Sequence, residues 1–227
     1  MLYLVPTPIG NLEDMSPRSI RILSEVDLVL SEDTRVSANL FRHFGIQTKL
    51  QSFHLNNEHS QTKKWIEALE NGQNIALISD AGTPGISDPG YLLVHECREK
   101  QIEVQCLPGA TAFVPALVGS GLSCEKFFYQ GFLPQKKGRQ TQIKFLAQLP
   151  VTFVLYESPH RIIKCMDELI LHCGEERQSC VSREISKKFE SHYYGNLAEV
   201  KQALLNEKKV QGEFVVCVAG IKQTHHD

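Results

Sequence analysis

The sequence predicts an α/β fold built as two α/β domains, and three observations point to it. Short apolar, β-branched runs take turns with segments of helical period; glycine- and proline-rich turns follow the apolar runs; and the pattern changes character near the middle of the chain. Strand and helix in alternation argue for a largely parallel sheet covered on both faces.

The elements follow in order. "LYLV", "VDLVLS", "NIALIS" and "IEVQCL" read as strands, separated by the helical segments "PRSIRILSE", "SANLFRHFG", "SQTKKWIEALENG" and "YLLVHECREK". The third of these carries Trp65, Ile66 and Leu69 on one face and ends at Gly72, a residue suited to a left-handed terminator. After "LPGATAFVPALVGSGLS" the texture differs. "KFFYQGFLP" is aromatic and strand-like, "KKGRQTQIKFLAQLP" is a basic helix, and "VTFVLYESPHRIIKCMDELILHCG" gives strand, turn and helix. "RQSCVSREIS", "ESHYYGNLAEV" and "EFVVCVAG" add three strands, with the helix "LAEVKQALLNEK" between the last two and more antiparallel character expected. The domains are placed at 1–121 and 122–227, a size at which each half can bury a core.

Bulk properties exclude several classes. With 227 residues, 42% hydrophobic and 22% charged, the chain has the composition of a soluble domain protein, and its apolar runs are far too short for a bilayer span. The N-terminus enters a strand at once without an export signal, which places the protein in the cytoplasm. Seven cysteines, an odd number without C-x-x-C, read as buried reduced thiols rather than disulfides or a metal site. A formal net charge of -2 leaves nucleic-acid binding to local patches. The phosphate loop, the dinucleotide turn, H-E-x-x-H and G-x-S-x-G are all absent, against nucleotide hydrolysis, dehydrogenase chemistry, zinc proteolysis and the common hydrolases.

What remains is a set of turns at strand ends: "PTPIGN", "SEDTR", "SDAGTPGISDPG", "LPGATA" and "YESPHR". In open α/β sheets ligands bind outside the carboxyl ends of the strands, so these turns should converge. Glycine lets backbone approach a ligand and proline stiffens the loop beforehand. Asp80 could accept hydrogen bonds from a ligand amine or from loop amides; an Asx-turn within its own loop is the alternative.

Taken together, "LYLVPTPIGNLEDMSPRS", "SEDTR", "ISDAGTPGISDPGY", "LPGATA", "GFLP", "YESPHR", "SREISK" and "GEFVV" run in order along nearly the whole chain. The set resembles the bacterial ribosomal RNA small-subunit methyltransferase I family, within the tetrapyrrole-methylase-like class of S-adenosylmethionine enzymes. The resemblance implies two domains of the tetrapyrrole methylase type with a cofactor cleft between them, a homodimer, and S-adenosylmethionine as methyl donor. It also implies 16S rRNA within the small ribosomal subunit as partner, and 2′-O-methylation of a decoding-region cytidine as activity. Carried over by position, it puts Asp80, Gly82, Thr83, Gly109, Ala110, Thr111, Phe132 and Leu133 with the cofactor and Pro8 under the methyl donor.

Two departures stand out. Where the family commonly reads H-E-H-N-E, this chain reads "HLNNEH", keeping His54, Asn57 and Glu58 but holding Asn56 in place of the second histidine. Relatives often continue past "GEFVV" into a small helical tail, whereas this sequence stops seven residues after Gly220.

Methyl transfer to a ribose hydroxyl requires alignment of the reactants and a proton acceptor. Glu157, His160 and Asp33 are the expected catalytic groups, among candidates that include Glu32, His54, Glu58 and Glu184. Each acid has a structural alternative as an ion pair: Glu32 or Asp33 with Arg35, Glu157 with Arg161, Glu184 with Arg183. Substrate contacts are expected from Arg35, His54, Asn57, Glu58, Arg161 and Arg183, with no metal. Lys136, Lys137, Arg139 and Lys144, together with Arg183, Lys187 and Lys188, could meet RNA phosphates, or be no more than solvated faces. The rival readings are methylation of a tetrapyrrole or a protein by a related enzyme, and a non-catalytic adenosylmethionine-binding protein.

Overall fold

The structure is a computed structural model and describes residues 1–221. The chain divides into two compact units, the first Met1–Thr111 and the second beginning at Ala112.

The first unit is a parallel five-stranded sheet in the order β3-β2-β4-β1-β5, with β1 Leu2–Leu4, β2 Leu28–Ser31, β3 Leu50–Ser52, β4 Ile75–Ile78 and β5 Val104–Cys106. The inner strands β2 and β4 are buried at every position, as expected when helices cover both faces. Side-chain alternation splits the core in two. Leu2, Leu28, Leu30, Ile75 and Leu77 pack with Trp65, Ile66 and Leu69 of α3 (Glu58–Glu70) and Leu93 and Cys97 of α4 (Tyr91–Glu99). Val5, Val29, Ala76 and Ile78 pack instead with Ile22 and Leu23 of α1 (Pro17–Glu25) and Phe41 of α2 (Thr34–Phe44). Local signals set the helix ends. Ser16 caps α1 by accepting from the Ser19 amide with Pro17 at the first turn, while Asp33 starts α2 and Gly45, in the left-handed region, stops it.

The second unit is a mixed sheet in the order β6-β7-β10-β8-β9. Strands β6 (Phe127–Phe132) and β7 (Thr152–Glu157) are parallel, and β10 (Phe214–Val218) runs antiparallel to β7 and to β8 (Gln178–Arg183), which pairs antiparallel with β9 (Ser191–Asn196). Its core joins Leu155, Val181, Val216 and Phe214 to α6 (Arg139–Ala147), α7 (Ile162–Cys173) and α8 (Leu197–Leu205) through Ile143, Met166 and Val200.

The division at Thr111/Ala112 falls ten residues before the expected 121/122 boundary. The reason is α5 (Phe113–Gly119), which lies against β7 and β10 of the second unit and so belongs to it. Four of the cysteines, Cys97, Cys165, Cys180 and Cys217, are buried; Cys106, on the edge strand β5, and Cys124, in the loop before β6, are exposed, and all are free thiols. Among the described residues no helix is long and apolar enough to cross a membrane.

Candidate functional site

Because every strand of the first sheet points the same way, the loops after β1, β2, β4 and β5 leave from one edge, and the structure interlocks them. The Thr7 and Gly82 amides and carbonyls exchange two hydrogen bonds, of 2.9 and 3.0 Å. Gly82 has φ +89°, which a residue with a side chain adopts only under strain. The Thr83 hydroxyl reaches the Ala110 carbonyl at 3.0 Å and the Thr111 hydroxyl at 2.6 Å. At Gly109 an added Cβ would come within 2.5 Å of the Pro6 ring, so only glycine lets these two loops touch. Asp80 accepts the Asp33 amide at 3.0 Å, tying the third loop to the second rather than forming a turn within its own. The residues expected near the cofactor in this unit, Pro8, Asp80, Gly82, Thr83, Gly109, Ala110 and Thr111, therefore lie on loops brought together.

Carboxylates gather at the same edge. Burial, and then the neighbouring Asp80 charge, raises the Glu32 carboxyl above its ordinary range. Asp88 is pushed up to about 7, first by burial and then by Glu32, with Asp80 adding and a hydrogen bond to Ser79 opposing. Asp33 behaves in the opposite way: a bidentate pairing with Arg35, at 3.0 and 2.6 Å, lowers its pKa to about 2. Both Asp33 oxygens are thus taken up by Arg35, and one of them also caps α2.

The "HLNNEH" segment is corrected. Glu58 is 5% exposed and accepts the Gly90 and Leu92 amides at 3.0 and 3.1 Å, capping α4 from 32 residues away. Asn57 spends its amide on the His54 N–H and the Ser52 carbonyl. Neither side chain is available to a substrate. His54 is half-buried near Glu32, and its Nδ1 is buried without a hydrogen-bond partner.

A pocket of about 410 Å³ opens between the loop after β1 and one face of α2. Pro8, Leu12, Val36 and Leu40 form its apolar walls, Ser37, Asn39 and His43 line it from the helix, and Ser79 and Asp80 line it from the loop after β4.

In the second unit Glu157 also departs from expectation. Its side chain is fully buried, bound by Arg161 at 2.8 Å, Arg139 at 3.3 Å and the Ser158 amide at 2.8 Å. Arg139, 4% exposed, also binds Glu168 at 2.7 Å and the Pro134 carbonyl at 3.3 Å. Two arginines and two glutamates thus neutralise one another in the interior. Glu157 is a structural anchor rather than a proton acceptor, Arg161 is engaged by it through Nε while its Nη1 has no hydrogen-bond partner, and Arg139 leaves the basic surface on which it was placed. Arg183, 9% exposed, bonds the Gln211 carbonyl and Glu207, so it is not offered to a substrate either. Leu133 packs into the core with 2% exposure, leaving its backbone alone for a ligand, whereas Phe132 is exposed beside Tyr156. His160 is exposed in the turn before α7, and the Arg35 side chain is 89% exposed.

Sequence reasoning missed Asp88 and the pocket face of α2. Asp88 stands in a quoted motif, but its burial beside Glu32 depends on β2 and β4 being neighbours. Leu40 reads as an ordinary position of the segment "SANLFRHFG", and Val36 falls between that segment and the preceding turn.

The chain belongs to the family of tetrapyrrole (corrin/porphyrin) methylases, whose sequence model matches residues 1–201. It is similar to the ribosomal RNA small subunit methyltransferase I of Synechocystis sp., with 47% identity covering 97% of this chain and 79% of that protein. Its likeness to the protein of the same name from Escherichia coli O157:H7 is 42% identity, covering 100% of this chain and 80% of the relative. Solved structures confirm the fold: diphthine synthase aligns with a TM-score of 0.74 at 14% identity, covering 96% of this chain and 89% of that one. Uroporphyrin-III C-methyl transferase from Thermus thermophilus, complexed with S-adenyl homocysteine, aligns with a TM-score of 0.64 at 18% identity, covering 95% and 96%.

Proposed function

We propose that the protein is an S-adenosylmethionine-dependent methyltransferase that transfers a methyl group to the ribose 2′-oxygen of a cytidine in 16S rRNA. Its substrate is the RNA held in the small ribosomal subunit. The observation that carries the reading is identity above 40%, over nearly all of this chain and about 80% of theirs, to relatives named for ribosomal RNA small-subunit methylation, on a first unit whose loops interlock at one sheet edge.

The residues present suit such a methyl donor. Glu32, Asp80 and Asp88 lie together at the loop edge, where burial first and the neighbouring carboxylates second raise the pKa of Glu32 and Asp88. A cationic ligand suits such a group of carboxylates. Rigid backbone at Gly82, Gly109 and Ala110 is held in place before binding, which reduces the order lost when a ligand enters. When bound, the sulfonium supplies an activated methyl group and departs as a neutral thioether. The new bond joins that methyl to the ribose oxygen, the carbon–sulfur bond breaks, and the hydroxyl proton passes to a base. His160 alone of the three expected acceptors keeps an exposed side chain, and it is proposed for that step; Arg35 is proposed to meet a phosphate. We further propose a homodimer in the cytoplasm, after the resembled family.

Fold neighbours acting on porphyrinoids and on a protein share under 20% identity with this chain, so the fold does not bring their substrates with it. The test is labelled methyl transfer offered in parallel to unmodified small subunits, naked 16S rRNA and uroporphyrinogen III. Incorporation into small subunits supports the proposal. Incorporation into the porphyrinoid alone, or donor binding without transfer to any acceptor, overturns it.

A further inference from the structure

The function above does not say where the acceptor nucleotide sits. We propose that the pocket along α2 receives the base and ribose of that nucleotide, turned out of the RNA; this rests on the RNA methyltransferase reading.

Four observations support it. The volume, about 410 Å³, lies within the range of small-ligand sites, roughly 300–1,000 Å³. Its chemistry disfavours an anion: no lysine or arginine lines it, and the Asp80 carboxylate does, while Thr7, Ser37, Asn39, His43 and Ser79 offer neutral polar contacts. Apolar walls from Pro8, Leu12, Val36 and Leu40 suit the faces of a base. Finally, Ser37 is among the lining residues, and its buried hydroxyl has no hydrogen-bond partner. A buried hydroxyl left unsatisfied costs about 1–3 kcal/mol, which an outward turn of the side chain onto the polar edge of a base would relieve.

Orientation follows from the helix. The Asp33 amide binds Asp80, so the N-terminal turn of α2 lies at the Asp80 end of the pocket. From Val36 to His43 the wall then runs about 10 Å, at 1.5 Å per residue, enough for a nucleoside laid along it. The donor-side residues Pro8 and Asp80 are at the start of that run, placing the ribose near them and the base toward His43. Arg35, one residue before the wall, is paired with Asp33 through Nε and Nη2, but its side chain is 89% exposed and can meet a phosphate outside the pocket. A base still paired and stacked in a duplex cannot lay its faces against these walls, so the nucleotide must leave its stack, as it does for other enzymes that act on single nucleotides.

The test uses Val36→Trp, which fills the pocket from an exposed helix position, and Asn39→Ala, which removes an exposed polar group from its lining. Each variant is assayed for adenosylmethionine Kd by calorimetry, for KM and kcat with small subunits, and for melting temperature. Val36→Trp should raise KM for subunits at least tenfold with donor Kd within twofold of the parent; Asn39→Ala should raise KM about threefold. Parallel loss of donor affinity would assign the pocket to the donor, and unchanged KM in both variants would show that no acceptor enters it; either overturns the inference alone. Failure of the parent protein to methylate subunits would overturn the functional reading as well.

Discussion

Replacing Glu157 by glutamine separates a structural anchor from a catalytic base. The parent carboxylate has no solvent contact and holds Arg139 and Arg161 at 3.3 and 2.8 Å. Removing one partner of a buried ion pair costs about 3–5 kcal/mol. Glutamine keeps the volume and one acceptor oxygen, and Arg139 retains Glu168 at 2.7 Å, so the low end, about 3 kcal/mol, is expected. With a urea dependence of about 1–3 kcal/mol per molar, the second unit should unfold roughly 1–3 M earlier. The assay is urea denaturation followed by circular dichroism, with methyl transfer measured well below the transition. Transfer per folded molecule should fall less than fivefold, because the group touches no substrate. A variant that unfolds at the parent's urea concentration yet loses transfer by a hundredfold or more would refute the anchor and restore the base.

Further outcomes follow from the first unit. Asp80→Asn keeps the acceptor for the Asp33 amide while deleting a charge, so adenosylmethionine affinity should drop about tenfold, near 1.4 kcal/mol, with little change in melting temperature. Asp88 has a folded pKa of about 7, raised from 3.8, so its stabilising contribution is present below pH 4 and disappears as pH climbs through 7. Asp88→Asn should therefore raise the melting temperature at pH 8 and flatten its decline between pH 4 and 8. In the parent, donor affinity should increase with pH through 7, since the ionised carboxylate attracts a cation; calorimetry at pH 6 and 8 checks this. Gly109→Ala forces a Cβ within 2.5 Å of the Pro6 ring and should destabilise the first unit by about 1–3 kcal/mol, with weaker donor binding.

The alternation of buried runs and helical periods made the parallel first sheet legible, because β2 and β4 are apolar throughout and β-branched or leucine-rich. The short, half-buried edge strand β3 carries no such signal and was not recognisable, and α5, with Pro115 inside it and Gly119 at its end, is assigned no element from the sequence. The converging loops of the first unit were legible from glycine and proline at strand ends. Side-chain roles were not. Glu58 caps a helix start 32 residues on, Arg139 reaches Glu157 across 18 residues, and Arg183 finds Gln211 across 28. Such long-range pairings convert apparent surface charge into interior anchors, and local pattern holds no record of them.

The central claim is ribose methylation of small-subunit RNA, and the site of the label tests it most directly. After transfer from labelled adenosylmethionine to unmodified small subunits, the RNA is digested with alkali, which cannot cut beside a 2′-O-methylated ribose. The account predicts label in an alkali-resistant dinucleotide whose first residue is cytidine. Label released in mononucleotides, and so carried on a base, would contradict it.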